Sequence, residues 1–183
     1  MRKLKFINQA EELGNIQKLI YQMKRKHSKF TDADDTLMMI VSPDFSGIVS
    51  TILSHGVSSY GKAMYSDVIH VPDPGEQPDF YRERLKQTWE HTITRYEGGR
   101  YSKFILAEAG VISGRNYIWL VDTLQELGVA REDILTVALY ENSHSKFKCD
   151  LVGEYYDNET EDLCFWWEQP NTAFGDFSSE ESA

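Results

Sequence analysis

The sequence predicts an α/β fold: a mainly parallel sheet flanked by helices, with a small antiparallel hood at the C-terminal end. Three observations carry this. Continuous apolar runs bounded by turn chemistry, at 36–41 and 104–107, read as strands buried on both faces. Segments with helical apolar spacing, at 9–27 and 116–127, alternate with such runs. The last third changes to short strand-like stretches around an acidic turn. At 183 residues, 41% hydrophobic and 13% aromatic, the chain can bury the core of one domain. That domain is expected over 1–170, with an N-terminal helix within 1–30, a core over 36–140 and the hood over 145–170. Residues 171–183 read as an acidic, disordered tail.

In chain order, Ala10, Leu13, Ile16, Leu19, Ile20 and Met23 form one apolar stripe of a helix. Lys24, Arg25 and Lys26 at its end suit the helix dipole. Thr36 to Val41 is the first buried strand, followed by the tight loop 42–46 and a short helix over 47–55. A second strand is expected at 66–71. Three of the five prolines fall within 72–79, which marks an exposed loop, and an amphipathic segment at 80–96 reads as helical. A strand at 103–107, a helix over 116–127 with Gly128 past its end, and a strand at 134–140 follow. The hood comprises strands at 147–155 and 163–167, joined by the turn 157–162.

The formal net charge of −10 opposes nonspecific binding to nucleic acid or to an anionic membrane. No run is apolar and long enough for a membrane span, and the basic start, Met1 to Lys5, lacks the apolar stretch of a signal peptide. The expected location is the cytoplasm. Cys149 and Cys164 form no metal-ligand spacing and read as reduced thiols.

Residues 104–116 hold the candidate site. Phe104 to Ala107 ends at an acid, Glu108, and Ser113-Gly114-Arg115-Asn116 leads into the next helix. Backbone N–H groups at a helix entrance are unpaired and suit a phosphate. Arg115 adds a cation able to grip phosphate bidentately. The alternative is a plain strand–loop–helix join with Ser113 as a cap. Ligands on parallel sheets bind at the C-terminal strand ends, and the loops 42–46 and 108–116 both lie there.

The order of these elements resembles the type I phosphoribosyltransferases, most closely the xanthine–guanine and hypoxanthine–guanine branch. The likeness covers roughly 36–168. That family's fingerprint is an apolar strand, two acids, three residues and a Thr-Gly-Gly-Thr loop. Here Glu108 falls on the first acid and Ser113 to Asn116 on the phosphate loop. Lys148-Cys149-Asp150-Leu151-Val152-Gly153-Glu154, then Asp162 to Glu168, is similar to the branch's ending. The resemblance implies transfer of ribose-5-phosphate from PRPP to a purine-like base, with Mg2+ as cofactor, Glu108 on ribose or metal, and a homodimer. It also implies base contacts from Lys148, Leu163 and Cys164, and a pyrophosphate loop carrying Ser42, Asp44 and Ser46.

This chain departs from that pattern on the chemical steps. The second acid is Ala109, and the general-base position holds Ile112, which takes no proton. A base would have to come from elsewhere, with Glu141 and the segment 72–100 as candidates. Three readings therefore stay open: a transferase of altered chemistry, a transferase-fold protein that binds a nucleotide as regulator or interaction module, and an unrelated α/β interaction protein.

Overall fold

In the computed structural model, the residues described are 2–33, 36–41, 52–53, 55–58, 65–69, 83, 86–87 and 101–165. The expected loops 42–46 and 72–79, most of the helix at 80–96 and the tail 171–183 lie outside them.

Strand β1 (Lys3–Ile7) leads into helix α1 (Gln9–Lys26) and a single turn, α2 (Ser28–Thr31). Asn8 caps α1 by accepting the Glu11 N–H at 2.9 Å, Glu11 and Glu12 occupy the first turn, and Lys24 to Lys26 the last. Strands β2 (Thr36–Val41), β3 (Tyr65–Ile69) and β4 (Lys103–Val111) follow. Helix α3 (Arg115–Glu126), strands β5 (Ile134–Asn142) and β6 (Leu151–Tyr156), and strand β7 (Glu161–Phe165) complete the described chain. Ile52, Leu53 and 55–57 are helical, in partial agreement with the helix expected at 47–55.

β2 to β6 form one five-stranded sheet in the order β3-β2-β4-β5-β6, every neighbour parallel. Its two faces are covered separately. Ile105 and Ala107 of β4 join Ile16, Leu19 and Met23 of α1 in one core. Phe104 and Leu106 face the other way, against Tyr117, Leu120, Val121 and Leu124 of α3. This two-sided burial explains the continuous apolar runs: all nine residues of β5 are buried.

Three expectations change. β4 runs on through Glu108 to Val111, with Glu108 level with Ala138 and Val111 with Glu141. An acid and a glycine look like loop chemistry, but β5 supplies ladder partners for both. The expected antiparallel hood is not among the described pairings. β6 extends the main sheet in parallel, and β7 pairs in parallel with β1, a strand the sequence reading did not anticipate. The connection 143–150 is short, yet long enough to return the chain, because Leu151 re-enters level with Val137 rather than with the end of β5.

Candidate functional site

The strand order turns around β2: the chain goes out to β3 and then back past β2 to β4. In parallel sheets such a reversal opens a crevice at the C-terminal strand ends. β4 ends there, and α3 begins after three loop residues. A cavity of about 150 Å³ lies at this join, lined by Glu108, Gly110 and the run Val111 to Asn116. The structure thus brings Glu108 together with Ser113, Gly114, Arg115 and Asn116.

The helix entrance is shaped by Gly114, at φ 73° in the left-handed region. A side chain there would collide with Phe147 Cβ and lie 2.7 Å from Ser145 Oγ. Only glycine meets both demands. Gly114, rather than Ser113, is the cap residue, and Ser113 Oγ accepts the Arg115 N–H at 3.3 Å. The first helical bond of this end runs from Ile118 N to Gly114 O at 3.0 Å. The N–H groups of the first turn have no intrahelical partner, as at any helix start, and here that of Arg115 goes to Ser113 Oγ.

The connection 143–150 braces the loop from behind. Lys146 N donates to Ser113 O at 3.2 Å, and Asn142 Nδ2 donates to Ile112 O at 3.0 Å. Phe147 stacks on Tyr117 with ring centroids 5.4 Å apart. Tyr117 is fully buried, and its hydroxyl donates to Val137 O at 2.6 Å, tying α3 to β5. Burial pushes that phenol well above its ordinary range.

Glu108 points toward α3, where Asn116 Nδ2 donates to its Oε1 at 3.3 Å. Burial pushes its carboxyl up to about 8, against the opposite pull of the Asn116 hydrogen bond. Burial thus disfavours the charged form of this half-buried acid. The cavity is thus bordered by an acid whose charge burial disfavours and by Arg115, a combination that suits an anion. Ala109 turns away from Glu108 and is buried in the α1-side core, and Ile112 is 59% exposed.

The other candidates lie elsewhere. Lys148 Nζ donates to Ser143 O at 2.9 Å and sits 3.2 Å from Oε1 of Glu141. That contact is an ion pair by distance, with too poor an angle for a hydrogen bond, so Oε1 has no hydrogen-bond partner. Glu141 is fully buried and its Oε2 accepts the Cys149 N–H at 2.8 Å. Burial beside Glu141 raises the Cys149 thiol far above its usual value. Glu141 is not among the residues that line the cavity. Leu163 and Cys164 belong to β7, level with Lys5 and Phe6 of β1, and Cys164 is buried. None of Lys148, Leu163 and Cys164 lines the cavity. Ser42, Asp44 and Ser46 lie outside the described residues. The bracing residues Asn142, Ser145 and Phe147 were not singled out from sequence; no local pattern marks a residue that packs behind a loop 30 positions away.

No family model and no curated protein matches the chain. Solved structures do. A purine phosphoribosyltransferase from Pyrococcus horikoshii aligns over 91% of this chain and 95% of its own, at 11% identity and a TM-score of 0.58. A xanthine–guanine–hypoxanthine phosphoribosyltransferase from Helicobacter pylori aligns over 90% and 93%, at 13% identity and a TM-score of 0.57. The chain has the purine phosphoribosyltransferase fold. Likeness at this identity concerns architecture alone. Among the described residues no helix is long and apolar enough to cross a membrane.

Proposed function

We propose that this phosphoribosyltransferase-fold protein binds a phosphorylated ribose ligand, PRPP or a purine nucleotide, in the cavity at 108–116. The observation that carries the reading is the convergence of a left-handed glycine, a helix start and Arg115 around one cavity, beside an acid that burial pushes toward its neutral form. The ligand's phosphate would lie on the amides of the first turn of α3, with Arg115 as counter-charge. Glu108 and Asn116 would meet ribose hydroxyls, the amide offering both a donor and an acceptor.

Glu108 is the one carboxyl lining the described cavity and would be the protein's ligand to Mg2+ there, with phosphate and water oxygens completing the shell. Any Mg2+ would arrive on the ligand's own phosphates.

Transfer would break the bond from ribose C1 to pyrophosphate and join C1 to a base nitrogen. Among the described residues lining the cavity, the general-base position is Ile112, which stands exposed and takes no proton, and Glu141 is not one of the lining residues. With the segment 72–100 mostly outside the described residues, transfer with a base from that segment is one reading, and a protein of this fold that holds a nucleotide without turning it over is the alternative. A homodimer working in the cytoplasm is the expected setting of either reading.

Thermal unfolding with millimolar PRPP or GMP, each with and without Mg2+, tests the site. Ligand at 100 times its dissociation constant adds about 2.7 kcal/mol, a clear rise in midpoint. Arg115→Ala should remove the rise. Equal shifts in wild type and Arg115→Ala, or none with either ligand, would refute the assignment. Release of pyrophosphate from PRPP with guanine, hypoxanthine or xanthine would decide for transfer over binding alone.

A further inference from the structure

A second polar cluster lies away from the cavity lining. His144 sits in the connection between β5 and β6, and Asp157 and Glu159 sit in the turn between β6 and β7. One donor atom from each of the three lies within 4.8 Å of the other two. His144 Nε2 is 3.5 Å from Asp157 Oδ1. Ligands about 2.1 Å from a tetrahedral cation stand roughly 3.4 Å from one another. The pair already has that spacing, and Glu159 needs only a side-chain adjustment, which its exposure allows.

Backbone bonds and one buried amide hold the two segments together, and Asp157 Oδ1 also accepts the Glu159 N–H at 2.9 Å within its own turn. Ser143 N donates to Tyr156 O at 2.7 Å. Asn142 is 3% exposed, and its Oδ1 accepts from His144 N at 3.1 Å and from Asn158 N at 3.4 Å. One buried amide thus holds both donor-bearing turns. Among the described residues, no lysine or arginine forms an ion pair with Asp157 or Glu159. With neutral imidazole the cluster carries two negative charges, and no lysine or arginine among the described residues answers them.

We propose that His144, Asp157 and Glu159 bind a divalent cation of the Zn2+ or Co2+ class. Imidazole with two carboxylates suits such ions better than Mg2+ or Ca2+, which prefer oxygen alone. Three protein ligands on an open surface leave room for water or a phosphate oxygen in the remaining positions. The site does not depend on the nucleotide reading of the cavity.

The whole chain, freed of metal by dialysis against a chelator, is titrated with Co2+ in a non-coordinating buffer. Visible d–d absorption and the thermal midpoint are both recorded, and Zn2+ is then added in competition. The site predicts a band saturating at one Co2+ per chain and displaced by Zn2+. His144→Ala should abolish it, Asp157→Asn should weaken binding at least about tenfold, and His55→Ala should leave it unchanged. All three side chains are at the surface, and the melting curves without metal report whether each variant folds. No band at millimolar Co2+, or the same titration in wild type and His144→Ala, would overturn the proposal.

Discussion

Replacing Gly114 with alanine should cost more than any other single methyl group added to a described glycine with positive φ. Two effects act together. The residue sits at φ 73°, where a Cβ crowds the following carbonyl, at about 1–2 kcal/mol. The added carbon would also overlap Phe147 Cβ and lie 3.0 Å from the Phe147 backbone nitrogen, which cannot retreat without disturbing the connection 143–150. Overpacking of this kind costs about 1–3 kcal/mol. The sum is about 2–5 kcal/mol, or on the order of 10 °C in midpoint for a chain of this size. Gly128 provides the control: it has φ 89°, but nothing lies within 4 Å of its added carbon. Gly128→Ala should show the backbone cost alone, about 1–2 kcal/mol. Urea unfolding of wild type and both variants, with equal slopes, gives the two values. If Gly114→Ala loses no more than Gly128→Ala, the connection does not press on the loop and the bracing account is wrong.

Other perturbations have definite signs. Gly14 is exposed inside α1 with open space around it, so Gly14→Ala should stabilise by roughly 0.5–1 kcal/mol in the same urea assay. Glu108 titrates near 8 when folded against 4.5 ordinarily, so the native state holds a proton that the unfolded chain releases. Its contribution is full below about pH 4.5 and declines as pH rises toward 8, by up to about 1.4 kcal/mol per pH step. Glu108→Gln lacks that decline, and unfolding midpoints at pH 5 and pH 8 should converge for the variant while wild type loses stability; parallel pH profiles would contradict the burial of this acid. Tyr117→Phe removes the donor to Val137 O and should lower stability by about 1–2 kcal/mol in the urea assay.

Elements with a local signature were legible in the sequence. The α1 stripe, the buried runs of β2 and β4, and the glycine after α3 each satisfy a rule spanning a few residues. Glu108 and the 113–116 loop could be found because a strand end, a small-residue turn and a helix start are contiguous. What escaped depends on distant partners. β1 alternates lysine with apolar residues and reads as a basic tail until β7 is placed beside it. The 108–111 extension of β4 and the parallel docking of β6 both follow from β5, whose buried length no single window reveals. Ile112, Asn142 and Phe147 share one neighbourhood through hydrogen bonds and packing across 30 or more positions. The histidine cluster escaped likewise, since His144 meets its carboxylates only after β6 has crossed the sheet.

The pairing of β1 with β7 has a consequence for how the protein is made. Lys3 matches Glu161, so β1 leaves the ribosome well before its partner strand and waits for it. At ordinary elongation speeds that interval is about 8–30 s. Ile7, destined for the core, and Phe6, exposed even in the finished fold, have no strand beside them for that time. An unpaired edge carrying two large apolar side chains is a docking site for any other strand nearby. Lys3 and Lys5, which face the ladder partners Glu161 and Leu163 once folding is complete, put charge on the nascent edge and discourage such encounters.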